Sequence, residues 1–451
     1  MKELHGRDVL VVGLGVSGHA AARALLRLGA RVRVTEIADT LEMRERAAEL
    51  ESQGAEVELG AHSFARGDVP LAVVSPGIPP QSEALTALAE QGAEIWGEVE
   101  LAYRLGDCSF LAVTGTNGKT TTTSLLAQML TEGGERAVAG GNIGVPLVDA
   151  VFEVGRGGVV ALEVSSFQLM TIHEFRAEVA VLLNVAADHL DYHGDLESYA
   201  AAKARIVENQ RSSDVFVTNL DDPIAMKIAA QAPGRVVTFS ASDPGADLTV
   251  TGESLTWRGD PFAPLSSLTL EGRGGIEDAL AAAGAALEHG VAPAAVARAV
   301  ESFRPLAHRL QTVARIDGVD YVDDSKATNP HAALAALRGR RDVVLIAGGR
   351  SKGNDLAELR GGVPPVIAVV ALGEAAEELR DVFDGVVPVE VVADMGAAVR
   401  AARAHAIPGG SVLLAPACAS LDMYTSYAAR GDDFARCVRE ILEVEAANGD
   451  A

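Results

Sequence analysis

Val113-Thr114-Gly115-Thr116-Asn117-Gly118-Lys119-Thr120 is the stretch on which the fold class turns. An apolar run, Phe110 to Val113, leads into it, and a helical pattern from Lys119 to about Thr131 leads out. Strand, glycine-rich turn and helix in that order form a phosphate-binding unit. The glycines let the main chain curl so that several N–H groups face one anion. Lys119 adds a point charge for the outer phosphates, and the Thr120 hydroxyl can ligate Mg²⁺. The helix N-terminus adds its dipole. The general loop pattern asks for glycine where this chain has Val113, so only the shorter form, Gly115 to Thr120, holds. The bland alternative is a coincidental glycine-rich turn.

Working outward, strands and helices alternate. Toward the N-terminus, Asp8 to Val12 reads as a buried strand, Ser17 to Leu28 as a helix ended by Gly29, and Arg31 to Thr35 and Leu71 to Val74 as strands, with Pro76, Pro79 and Pro80 punctuating the next loop. Beyond the phosphate loop, strands are expected at Val159 to Leu162, Glu178 to Leu183 and Asp214 to Thr218. From Asp247 to Glu271 the pattern changes: Leu248 to Val250, Ser254 to Trp257 and Leu268 to Leu270 read as short strands of an antiparallel flap. A third unit starts near Arg304-Pro305, with strands at Val319 to Val322, Val343 to Ala347, Val366 to Ala371 and Val412 to Ala415, and a last helix from Asp432 to Ala446. The pattern is α/β with parallel sheets, in three domains: 1–106, 107–304 and 305–451.

A second glycine motif, Gly13-Leu14-Gly15-Val16-Ser17-Gly18, follows the first strand and opens a helix. It fits the dinucleotide fingerprint, with Glu36 at the end of the next strand where a ribose-binding acid is expected. The turn specifies a diphosphate, not a nicotinamide. NAD, another nucleotide diphosphate and mere tight strand–helix packing all fit; with a separate ATP loop downstream, a nucleotide-linked substrate is favoured.

The composition narrows the classes. Of 451 residues, 48% are hydrophobic and 22% charged, which suits well-filled cores. A net charge of −24 repels phosphate backbones and anionic lipid, arguing against nucleic acid and membrane as partners. Cys108, Cys418 and Cys437 offer no disulfide framework and no metal pair, so three reduced thiols are expected. Met1-Lys2-Glu3 runs straight into an apolar strand with no signal peptide visible, and no apolar run is long enough to span a bilayer. The expected compartment is the cytoplasm and the expected state a monomer.

These motifs, with others in order, resemble the Mur ligases. The others are Ser75-Pro76-Gly77-Ile78, Gly141 to Gly144, Leu162 to Leu169, Asp188-His189-Leu190-Asp191, Ala202 to Ile206, His308-Arg309, Asp323 to Asn329 and Pro416 to Asp422. The Ser-Ser-Phe-Gln and Ala-Cys-Ala-Ser-Leu-Asp segments favour the branch that adds D-glutamate to UDP-N-acetylmuramoyl-L-alanine. The resemblance implies an N-terminal Rossmann-like domain for the UDP-linked substrate and a central P-loop ATPase-like domain with a small antiparallel flap. It also implies a C-terminal Rossmann-like domain that closes over the site and receives the amino acid. The implied reaction uses ATP and Mg²⁺, at two metal sites, in peptidoglycan precursor synthesis.

The resemblance also assigns residues. Gly115, Thr116, Asn117, Gly118, Lys119, Thr120 and Thr121 would hold ATP, with Asn142 and Arg309 on the phosphates and Asp324 on the ribose. Thr120 and Glu163 would serve one Mg²⁺; His189 and Lys203, the lysine carbamylated into an anionic oxygen ligand, would serve a second. Lys119, His189 and Lys203 are thus the catalytic candidates. Gly15, Val16, Ser17, Glu36, Ser75, Pro76, Gly77, Asn142 and His189 would meet the UDP substrate. Lys326, Thr328, Lys352, Ser420, Leu421 and Tyr427 would form the D-glutamate pocket. Without the family, Glu163 is a strand-end carboxylate, Lys203 a solvated helix lysine, and the rest ordinary surface residues. His189 and His193, four apart, also invite a zinc reading if helical, but no third ligand set is evident.

Two departures stand out. Where the family carries a His-Asn-x-x-Asn run, this chain has Gly274-Gly275-Ile276-Glu277-Asp278, and an ionised Asp278 accepts but cannot donate. Ile37 and Ala38 follow Glu36 where an arginine is common in the family. Rival readings are a sister ligase for another amino acid, a folylpolyglutamate synthetase, a P-loop regulatory protein that does not ligate, and an NAD dehydrogenase built on the first glycine motif.

Overall fold

The computed structural model describes residues 4–66, 68–78, 82–270, 272–304 and 307–449. Residues 1–3, Pro79, Pro80, Glu271 and Pro305, all invoked above, lie outside the described residues. The chain divides into two compact units. The first comprises 1–185, 197–267 and 277–303; the second comprises 186–196, 268–276 and 304–451.

Two sheets build the first unit. The N-terminal one is fully parallel, in the spatial order Glu56–Leu59, Arg31–Glu36, Asp8–Val12, Leu71–Val74, Glu94–Gly97. Strand order reverses on either side of Asp8–Val12, which creates a crevice at the carboxyl ends of that strand and Leu71–Val74. Both strands are continuous apolar runs because helices cover both faces.

The second sheet has nine strands. Its parallel part runs Ala137–Gly141, Val159–Glu163, Ser109–Thr114, Val179–Leu182, Val215–Asn219, Arg235–Phe239. The antiparallel flap extends it with Leu248–Thr251, Ser254–Trp257 and Asp260–Pro264. The expected third flap strand at Leu268 to Leu270 is wrong: that segment is not a strand, and Asp260–Pro264 takes its place. A tight turn explains it. Arg258 and Gly259 both have positive φ, so Trp257 pairs with Asp260 across a two-residue loop. Pro261 and Pro264 looked like breakers but sit on the outermost strand, where a missing N–H costs no ladder bond.

The second unit carries a six-stranded sheet in the order Gln311–Ile316, Val319–Asp323, Ser411–Leu414, Val343–Gly348, Val366–Leu372, Val389–Val391. All pairs are parallel except the first. The sheet is sandwiched between two clusters of buried aliphatic residues, one centred on Leu345 and Val369, the other on Val344 and Val370. The last helix starts earlier than read from sequence and spans Tyr427–Gly449. All three cysteines are free thiols, and burial pushes Cys108 up to about 11 and Cys418 up to about 12. No helix among the described residues is long and apolar enough to cross a membrane.

Candidate active site

The phosphate loop leaves the carboxyl end of Ser109–Thr114, between two parallel neighbours, and enters the helix Lys119–Glu132. Gly118 has a φ of 87°, and a Cβ there would run into Asp278 Oδ1. The departure at Asp278 therefore places a carboxylate over the loop's second glycine; Gly274 and Gly275 lie within the helix Gly272–His289. Lys119 Nζ donates to the carbonyls of Gly115 and Thr116, both at 2.8 Å, and so folds back over the loop. Asn184, which sequence reasoning missed, clips the loop from the next strand. Its side-chain oxygen accepts the Asn117 N–H at 2.9 Å, and its carbonyl accepts that of Thr116 at 3.0 Å. A position just past a strand end was the available signal.

Glu163 ends its strand at the same sheet edge and is 2% exposed. Asn142 Nδ2 donates to Glu163 Oε1 at 2.8 Å, and the Asn142 N–H to the Glu163 carbonyl at 3.0 Å. The other carboxylate oxygen, Oε2, is buried and has no hydrogen-bond partner. Lys203 is 1% exposed, not solvated. Its Nζ donates to the Gly115 carbonyl at 2.7 Å and lies 4.4 Å from the Tyr199 ring. Lys119, Asn142, Glu163 and Lys203 all belong to the first unit; His189 belongs to the second, within 186–196. His189 has a φ of 55° and precedes the short helix Leu190–His193, so it does not share a helix face with His193 as the zinc reading required. No cluster of three metal-ligating side chains occurs among the described residues.

In the N-terminal sheet, the glycine turn occupies the crevice. Gly13 has a φ of 95°, and a Cβ on it would meet Ser75. Ser75 Oγ donates to the Gly13 carbonyl at 3.3 Å, which seats the Ser75-Pro76-Gly77 loop beside the turn. Glu36 accepts the Leu14 N–H at 2.7 Å and the Ala38 N–H at 2.9 Å. Val16 and Ile37 are exposed at the same edge, and Gly15 has open space above it.

In the second unit the strand-end loops gather the remaining candidates. Lys326 Nζ lies 4.1 Å from the Tyr427 ring. Ser420 is buried and Leu421 exposed, on adjacent positions. Thr328 follows Lys326 by two residues and its N–H bonds the Lys326 carbonyl. Asp324 lies beside Arg309, and burial pushes its carboxyl up to about 7 despite that cation.

Arg430 was also missed. It is 2% exposed; its guanidinium donates to Ser325 Oγ at 3.0 Å, the Ser325 carbonyl at 2.9 Å and the Cys418 carbonyl at 3.1 Å. It thereby ties the Lys326 loop to the Ser420 loop. Burial lowers its pKa to about 10, well above neutrality. Arg430→Met, which keeps the stem and removes the donors, is expected to destabilise the chain by about 3 kcal/mol. Denaturant unfolding checks this.

Lys352 is engaged. Its Nζ pairs with Asp188 Oδ1 at 2.6 Å, and Asn329 Nδ2 donates to Asp188 Oδ2 at 3.0 Å. Burial disfavours charge on Asp188, but Lys352 and His189 outweigh it and hold the carboxyl down at about 2, from an ordinary 3.8. A carboxylate lowered on folding stabilises the fold above its unfolded pKa, and that stability is lost as pH falls toward the folded value. About 2 kcal/mol is expected to disappear between about pH 5 and pH 2. Thermal unfolding across that range should show this acid limb, and Lys352→Met should flatten it.

Three α/β sheets, a phosphate loop at one sheet edge and a diphosphate-type turn at another define a nucleotide-using enzyme fold. Residues 7–97 match the Mur ligase MurD-like N-terminal domain, 113–286 the Mur ligase middle domain, and 308–418 the Mur ligase glutamate ligase domain. The chain belongs to the Mur ligase family. The UDP-N-acetylmuramoylalanine--D-glutamate ligase of Frankia casuarinae is 48% identical over 447 residues, covering 96% of this chain and 94% of the relative. That of Desulfosudis oleivorans is 42% identical, covering 99% of each. Among solved structures, the UDP-N-acetylmuramate-alanine ligase of Thermotoga maritima aligns over 97% of this chain and 99% of its own, with a TM-score of 0.61 at 20% identity, a likeness of fold.

Proposed function

We propose that this chain is an ATP-dependent ligase that joins D-glutamate to UDP-N-acetylmuramoyl-L-alanine, a step of peptidoglycan precursor synthesis. The observation that carries this reading is identity of 42 to 48% over nearly the whole length with relatives bearing that activity in their names. The proposed domains are 1–106 for the UDP-linked substrate, 107–304 for ATP and 305–451 for the amino acid. We further propose a cytoplasmic monomer acting only on small molecules.

The substrate carboxylate attacks the γ-phosphorus of ATP, giving an acyl phosphate and ADP. The amine of D-glutamate then attacks the acyl carbon, and phosphate leaves from the tetrahedral intermediate. Two anions must meet in the first step, so cations and N–H donors set in place beforehand lower the barrier. The loop amides and Lys119 hold the phosphates, Lys119 exchanging its carbonyl partners for phosphate oxygens. Asn142 and Arg309 add donors, and Asp324 takes the ribose. The unpartnered Oε2 of Glu163 is a hard oxygen donor, which fits Mg²⁺, and the Thr120 hydroxyl is proposed as a second ligand to the same ion. Bound there, Mg²⁺ supplies charge neutralisation on the phosphates. His189 and a carbamylated Lys203 are proposed for a second ion. Lys326, Thr328, Lys352, Ser420, Leu421 and Tyr427 receive D-glutamate.

Phosphate release from ATP, measured with UDP-N-acetylmuramoyl-L-alanine and a panel of amino acids, tests the reading. Release is expected with D-glutamate alone. Equal release with L-lysine or diaminopimelate moves the chain to a sister activity, and release without any acceptor removes the ligase reading.

A further inference from the structure

The helix Glu98–Leu105 continues directly from the last strand of the N-terminal sheet toward the nine-stranded sheet. Its first residue, Glu98, is 2% exposed yet ionisable. No assignment above uses it. Three donors converge on its carboxylate from three separate elements. Ser17 Oγ, in the glycine turn's helix, donates to Oε2 at 2.8 Å. The Leu147 N–H, opening the helix Leu147–Val154, donates to Oε1 at 2.8 Å. Pro146 caps that helix and brings no side-chain acceptor, so Glu98 supplies what the helix start lacks. The Gln168 side chain is the third partner.

Each partner leads to a loop of the proposed site. Ser17 belongs to the turn proposed for the substrate diphosphate. Leu147 lies five residues after Asn142. Gln168 closes a capping box on Ser165, accepting its N–H at 2.9 Å and its hydroxyl at 3.0 Å, and Ser165 follows Glu163 by two residues. No cation forms an ion pair with Glu98 among the described residues, and a carboxylate so buried is a costly tether. Burial raises its pKa, and Asp149 raises it further, against the pull of its three donors. What it provides is direction: an acceptor-only group that fixes three donors at once.

We propose that Glu98 is a positioning residue that holds the substrate's diphosphate turn in register with the loop ends bearing Asn142 and Glu163. This rests on the functional reading above. It also revises Ser17: the hydroxyl is committed to Glu98, so the turn offers the diphosphate its main-chain N–H groups.

Steady-state kinetics on the full chain with all three substrates test the bridge. Glu98→Gln keeps the shape but turns an amide NH₂ toward a donor. It is expected to lower kcat/KM for the UDP-linked substrate about tenfold while KM for ATP stays within about twofold. The swap Glu98→Gln with Gln168→Glu puts a carboxylate back opposite that amide and is expected to recover most of the loss. A merely structural role would lower both substrates' parameters together with the melting temperature, and that result overturns the proposal. So does Glu98→Gln with wild-type kinetics. Should Glu98→Gln fold poorly, Gln168→Glu reads the bridge from its other end, where no substrate is proposed to bind: it keeps the acceptor for Ser165 and removes the donor to Glu98. A loss confined to the UDP-linked substrate supports the bridge, and no loss overturns it. Wild-type phosphate release tests the functional reading separately, so an active wild type with an unaffected variant sinks the bridge alone.

Discussion

Replacing Lys119 with alanine is expected to lower ATP-dependent phosphate release by about a thousandfold. The ammonium is the one side-chain cation within the loop itself, and it already lies 2.8 Å from two loop carbonyls. Those oxygens are placeholders in the proposed reaction. When a triphosphate enters, the ammonium trades neutral carbonyl oxygens for anionic phosphate oxygens, which adds charge–charge attraction to each hydrogen bond. Its effect is greatest where negative charge gathers during phosphoryl transfer, so the loss should fall mainly on kcat. The fold should survive, because Lys119 is only partly buried and Asn184 holds the loop independently of it. Steady-state phosphate release at saturating substrates, alongside a melting curve, checks both halves. Wild-type turnover in the variant would remove the phosphate-loop assignment.

Glu163→Gln is expected to cost about a hundredfold in kcat and to raise the Mg²⁺ concentration needed for half-maximal rate. The substitution is nearly isosteric. A glutamine oxygen can still accept from Asn142 Nδ2, so the contact at 2.8 Å survives. What changes is the other oxygen, which is buried and unpartnered in the carboxylate. Leaving a charged oxygen without a donor is expensive unless something positive occupies the space before it. An amide there repels a divalent cation and needs an acceptor of its own. A Mg²⁺ titration of the variant reads the effect directly; an unchanged requirement would assign the orphaned oxygen to structure, not to metal binding.

Much of the fold was legible because α/β proteins write their parallel strands as continuous apolar runs. Asp8–Val12, Ser109–Thr114, Val159–Glu163 and Val343–Gly348 all stand within about a residue of where the sequence put them. The elements that failed are those whose pattern is local and ambiguous. Leu268 to Leu270 alternates like a strand, yet the pairing went to the proline-bearing Asp260–Pro264. Register in a hairpin is set by its turn, and the positive φ at Arg258 is not written in residue type.

The same division holds for the candidate site. Glycine turns, a Gly-Lys-Thr helix start and strand-end carboxylates are local, since a few neighbouring residues dictate how the backbone meets an anion. By itself the sequence determined that this chain has a phosphate loop, a second turn of diphosphate type and alternating α/β units around them. Only tertiary structure decided that Lys203 is buried against the Gly115 carbonyl, that Asp278 lies over Gly118, that Lys352 pairs with Asp188, and that Arg430 and Glu98 each bind several elements at once. Those contacts join residues from 12 to 164 positions apart. Their strength comes from exclusion of water, which no stretch of chain achieves until its distant neighbours have packed around it.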